Sequence, residues 1–116
     1  SDVPALAKQT SRVIIANHGF LTSKRDLVQR YMDAYRETVE FVYAGMEGAE
    51  AYAKWSEVPV PIAKRTLDEF VTKAASNPDT VSDLEGVVAA AVEFKYIPAP
   101  LTPEQMRELV QVPPRR

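Results

Sequence analysis

Leu27, Val28, Tyr31, Tyr35, Thr38, Val39 and Val42 recur at three- and four-residue intervals, and this stripe constrains the fold more than any other feature. Such spacing places apolar side chains along one face of an α-helix. Ser23 is suited to accept from the amides of the first turn, and Asp26, three residues on, favours the positive helix end. Gly45 supplies a natural stop. The expected helix runs to about 22 residues and about 33 Å. An apolar stripe of that length needs other elements to cover it.

The rest of the chain predicts shorter helices separated by proline. One covers Glu47 to Trp55 and ends before Val58-Pro59-Val60-Pro61. Pro61 is placed to open the next, which carries Ile62, Ala63, Leu67, Phe70, Val71 and Ala74 until Asn77-Pro78-Asp79 breaks it. Ser82-Asp83-Leu84-Glu85 reads as a capping box ahead of Leu84, Val87, Val88, Ala91 and Val92, ended by Lys95 and Pro98-Ala99-Pro100. Thr102-Pro103-Glu104-Gln105 repeats that logic, with Met106, Leu109 and Val110 as a short buried edge. Pro113 to Arg116 is expected to fray.

One segment has a different character. Val13, Ile14 and Ile15 form a compact β-branched run within Arg12 to Asn17, ended by His18-Gly19, and they predict a buried strand. A lone strand leaves its backbone donors and acceptors unpaired, so its neighbours are expected to lie outside this chain. The expected fold class is mainly α with one β-strand over about residues 12–17 and then about five helices. Residues 1–116 read as one segment without an internal boundary.

Composition narrows function by exclusion. With 46% hydrophobic and 26% charged residues the chain has an ordinary globular balance, and no apolar run approaches the ~20 residues a bilayer requires. A net charge of −2 with interspersed signs gives no broad electrostatic basis for nucleic-acid binding. Cysteine is absent, which removes disulfides, thiolate metal sites and cysteine nucleophiles. Ser1 to Thr10 holds no signal-peptide apolar core.

Little in the sequence points to catalysis. His18 is the single histidine and has no second His or Cys to complete a metal site. Asp68-Glu69 and Glu37-Glu40 fall on the polar faces of helices among Lys and Arg, where carboxylates are solvated. Tyr31 and Tyr35 share the inward stripe and are expected in the core; packing between helices is likewise the default for Tyr52 and Trp55. Four scattered glycines make no phosphate-cradling loop, and no Ser lies in a nucleophile elbow. No enzyme, cofactor or metal is expected. The polar entry Lys8-Gln9-Thr10-Ser11-Arg12 and Asn17 flank the predicted strand, where ligand contacts concentrate in open α/β sheets.

The order of segments resembles a known family. Val13 to Asn17, then Gly19-Phe20-Leu21 and a long helix from Arg25-Asp26-Leu27-Val28, is similar to the stretch of a solute-binding protein where the chain returns from its second lobe to its first. Val28 to Tyr35, Val39 to Tyr43, Glu50 to Lys54, Val60 to Lys64 and Tyr96 to Gln105 continue the likeness. The group resembled is that of nitrate, sulfonate, taurine and thiamine-precursor binders serving ABC importers. The resemblance implies a C-terminal portion of a type II periplasmic-binding-protein α/β fold, with a small-molecule solute and an ABC permease as partners. It also implies a periplasmic or lipid-anchored location. Thr10, Ser11 and Asn17 are the positions nearest the implied crossover and are the candidate ligand-binding residues. The enzymatic branch of the group uses a cysteine-rich motif, which this chain lacks.

The competing reading is a stand-alone helical interaction module that binds no small molecule. In either case the exposed strand could pair across a two-fold axis and form a homodimer.

Overall fold

The computed structural model describes residues 9, 10 and 12–116. These are mainly helical, and no strand or sheet occurs among them. The order is α1 His18–Ser23, α2 Arg25–Ala44, α3 Met46–Ser56, α4 Val60–Arg65, a π-helical turn Thr66–Phe70, α5 Leu84–Glu93 and α6 Pro103–Leu109. The described residues form two compact units. One is Ala16–Pro78 with Pro114–Arg116; the other joins the residues up to Ile15 to Asp79–Pro113. One boundary between them falls within Asn77-Pro78-Asp79, the segment read as a helix breaker.

The expected strand is corrected. Arg12 to Asn17 has no regular secondary structure, and Val13, Ile14 and Ile15 are exposed instead of buried. No other strand is described with which their backbone could pair, and an unpaired strand has no ladder to hold it. Homodimerisation through a strand edge loses its structural element for the same reason. Asn17 instead begins a helix: its Oδ1 accepts from the Gly19 and Phe20 amides at 2.9 and 3.3 Å. The His18-Gly19 turn is thereby the first turn of α1.

In the larger unit α2 forms as the stripe requires, but its start and its buried face differ from expectation. Ser23 does not cap it; its hydroxyl donates to Gly19 O at 2.7 Å within α1, and Lys24 holds the N-cap position without a side-chain bond. Met32 and Arg36 are the buried residues of α2, with Val28, Gln29, Asp33, Val39, Val42 and Tyr43 half-buried. Leu27, Tyr31, Tyr35 and Thr38 are exposed. The packed face is displaced by about one residue, roughly 100° around the helix.

α3 packs against both α2 and α4, and it does so with small residues. Gly48, Ala49 and Ala53 are its buried positions, and Ala63 of α4 is fully buried. Gly48 is required sterically, because a Cβ there would lie 2.4 Å from Val42 O and 2.5 Å from Phe41 O. Leu67 is the largest side chain buried beyond α2 in this unit. α3 ends at Glu57, a non-glycine residue at φ 57°, whose N–H reaches Ala53 O.

The helix opened by Pro61 was expected to continue until Asn77-Pro78-Asp79. It stops earlier. The Thr66 hydroxyl donates to Ile62 O at 2.9 Å, and the Val71 N–H reaches Thr66 O at 2.8 Å, a five-residue step that widens the last turn. Val71 then leaves the helix at φ −119°, ψ 74°. The Tyr43 hydroxyl donates to Val71 O and lies 2.9 Å from Ser76 Oγ, holding the following turn beside α2.

In the smaller unit, Ser82 is not the cap of α5. Asp83 is, in the left-handed region at φ 56°, with its Oδ1 accepting from Gly86 N at 3.3 Å. Val88 is the buried residue of that helix. The capping box of α6 forms as read: Thr102 Oγ1 accepts from Gln105 N at 3.2 Å, and Gln105 Oε1 accepts from Thr102 N at 2.8 Å. Leu109, expected inside, is exposed.

Candidate functional site

Each candidate ligand-binding residue among the described ones is engaged in local structure. Asn17 caps α1. The Thr10 hydroxyl accepts from Ser82 N at 2.7 Å, its own N–H donates to Ser82 O at 3.4 Å, and Gln9 Nε2 donates to Asp83 Oδ2 at 3.3 Å. These bonds tie the entry segment to the start of α5 within the smaller unit. Ser11 lies outside the described residues. Thr10 belongs to the smaller unit and Asn17 to the larger.

The described side chains singled out in the sequence are placed as follows. His18 is exposed at the first position of α1. Asp68 and Glu69 form ion pairs one turn back along their own helix, with Lys64 at 2.6 Å and Arg65 at 3.0 Å. Glu40 pairs with Lys73 at 2.6 Å. Among the described residues no group of three His, Cys, Asp or Glu is placed to hold a metal ion. No described helix is long and apolar enough to cross a membrane.

A line of polar side chains on α2 of the larger unit holds Pro114–Arg116. Pro114 O accepts from Gln29 Nε2 at 2.7 Å and from Arg36 Nη1 at 3.1 Å. Arg116 Nε donates to Asp33 Oδ2 at 2.9 Å. Asp33 Oδ1 also accepts from Gln29 at 2.9 Å and from Arg36 at 3.1 Å. Partial burial works to raise the Asp33 pKa. The bonds from Gln29 and Arg116, the charge of Arg116 and the bond from Arg36 outweigh it and hold the carboxyl below its ordinary 3.8. The expected frayed tail is a strap held in place.

Two open depressions flank the strap. One, of about 390 Å³, is lined by Arg36, Val39, Glu40, Lys73, Ala74 and Arg115 among others. The other, of about 300 Å³, is bordered by Asp33, Glu37 and Arg116. Sequence reasoning read the polar residues of α2, Glu37 and Glu40 among them, as a solvated face and so missed this surface. The available signal was Gln29, Asp33 and Arg36 at helical spacing, one polar line on a face that the pattern assigned to solvent.

A second surface is apolar. Tyr31 and Tyr35, exposed at 54% and 37%, have ring centroids 6.5 Å apart, and Leu27 continues the row. Tyr52 and Trp55 form a similar pair on α3 at 5.9 Å, with Trp55 exposed at 79%. The inward placement expected for Tyr31 and Tyr35 is corrected: the displaced packing of α2 turns them outward.

No protein-family model, no curated protein and no solved structure matches the chain.

Proposed function

We propose that this chain is a C-terminal portion of the substrate-binding component of an ABC importer for a small solute of the nitrate, sulfonate, taurine or pyrimidine thiamine-precursor type. The observation that carries the reading is the state of Val13, Ile14 and Ile15, consecutive β-branched side chains exposed at 58, 46 and 88%. A run of this kind is suited to a sheet interior, and strands of a longer chain would cover it. The exposed row of Leu27, Tyr31 and Tyr35 is accounted for in the same way. The order of segments from Val13 to Gln105 supports the reading further. The strand it forecast is absent from the described residues; partner strands outside this chain are the explanation the proposal offers for that absence.

In the parent, two α/β lobes would close on the solute, with binding energy biasing an open–closed equilibrium. Thr10, Ser11 and Asn17 are the positions proposed to face that cleft. The parent is proposed to be exported or lipid-anchored and to deliver its solute to a permease.

The exposed Tyr31–Tyr35 and Tyr52–Trp55 pairs favour a second reading, a helical interaction module with no small-molecule ligand. Calorimetric titration with nitrate, taurine and a hydroxymethylpyrimidine separates the two. The importer reading expects no micromolar binding by the isolated chain, since one wall does not enclose a ligand, and saturable binding by a longer in-frame product. Micromolar binding by the isolated chain contradicts it, and a longer product that binds none of the solutes favours the module.

A further inference from the structure

We propose that the polar face of α2 is a binding site for an extended, arginine-bearing peptide segment, and that Pro114–Arg116 occupies it in cis as a competing strap. The face offers complementary groups in one line. Gln29 Nε2 and Arg36 Nη1 grip a backbone carbonyl, at 2.7 and 3.1 Å from Pro114 O, and Asp33 Oδ2 receives a guanidinium, at 2.9 Å from Arg116 Nε. Arg36 is 94% buried by its exposure of 6%, so the grip is built into the packed part of the unit. Donors for a carbonyl next to an acceptor for a cation read a main chain and a basic side chain together.

Charge fixes the class of partner. Asp33, Glu37 and Glu40 line this face against Arg36 and Lys73, and the strap itself supplies Arg115 and Arg116. Removing the strap leaves three carboxylates against two cations, with Asp33 Oδ2 without its Arg116 donor, a balance that favours a second basic segment over an acidic one. Pro114, fixed in φ, limits the conformations the strap samples when released, so an extended Pro-Arg-Arg segment docks at low entropic cost. A competitor in trans must displace a segment whose local concentration is set by its tether, which makes the strap a threshold. This site is independent of the importer reading.

The test uses the full chain and the hexapeptide Gln-Val-Pro-Pro-Arg-Arg as probe, followed by NMR of the Gln29 side-chain amide. Arg116→Ala, which loses the strap's bond to Asp33, is expected to bind the probe about tenfold more tightly than the unsubstituted chain. Asp33→Asn added to Arg116→Ala is expected to weaken that binding, and a probe ending in Glu-Glu is expected not to bind. Equal probe affinity for the unsubstituted and Arg116→Ala chains, or no shift at Gln29, overturns the proposal. Should Arg116→Ala fail to fold by circular dichroism, the unsubstituted chain serves alone. Rising probe must then release Arg116, seen as faster solvent exchange of its Nε–H, and its failure to do so at saturating probe overturns the proposal as well.

Discussion

The hydroxyl groups of Tyr43 and Ser76 lie 2.9 Å apart, with the Tyr43 proton directed to Val71 O and the Ser76 proton to Tyr43. One side chain on α2 thus satisfies the backbone where the π-helical turn ends and the hydroxyl of the turn that follows. Tyr43→Phe removes both bonds and leaves Val71 O without this donor. It is expected to cost about 1–2 kcal/mol in chemical denaturation. Ser76→Ala is expected to cost less, and the two substitutions should show a coupling above about 0.5 kcal/mol in a double-mutant cycle.

Gly48 and Gly45 stand three residues apart and are expected to respond oppositely to alanine. At Gly48 the new methyl meets backbone oxygens of Val42 and Phe41 at 2.4 and 2.5 Å, which no rotamer change relieves. The clash outweighs the helix-propensity gain of about 1 kcal/mol, and Gly48→Ala is expected to destabilise by about 1–3 kcal/mol. Gly45 has nothing within 4 Å and an extended φ of 169°, so Gly45→Ala is expected to fall within about 0.5 kcal/mol of the parent. Thermal melts of the two variants side by side check this.

The reciprocal bonds between Thr102 and Gln105 hold the start of α6, a helix of only 7 residues. Thr102→Ala is expected to cost about 1 kcal/mol, and Thr102→Ser much less because the accepting oxygen is kept. Hydrogen exchange at Gln105 N–H reads the effect locally: protection falls in the alanine variant and survives in the serine variant.

Strap closure is expected to depend on acid. The folded-state pKa of Asp33 is lowered, so the carboxylate's contribution is fully present above its unfolded value and is lost as pH falls through the folded one. The strap should therefore be closed at neutral pH and released below the ordinary carboxylate value of 3.8. Exchange rates of the Arg115 and Arg116 amides across that range report it, and Asp33→Asn is expected to remove the step. Arg36→Met leaves Pro114 O with one donor fewer and is expected to cost about 1–3 kcal/mol.

Local chemistry was legible where it was strong. The spacing along α2, the proline entry to α4 and the Thr102 capping box each act over a few residues, and each formed. The misreadings share one cause, tertiary partners that a local pattern does not contain. Val13 to Ile15 have strand propensity, but propensity without a second strand makes no ladder. Leu27, Tyr31 and Tyr35 satisfy the helical period, yet the face that packs carries Met32 and a buried Arg36 whose cost is met by Asp33 and Pro114 O. Ser23 and Ser82 each precede a helix, but Ser23 bonds to Gly19 O, and the neighbouring Asp83 takes the cap of α5 while Ser82 pairs with Thr10. The candidate site was less legible still, because the strap reaches Asp33 from 83 positions away.

The coding DNA upstream of Ser1 tests the proposed function most directly. The importer reading expects an in-frame extension long enough to encode the remaining strands and helices of two α/β lobes. An initiator codon immediately before Ser1 contradicts it and leaves the helical interaction module in its place.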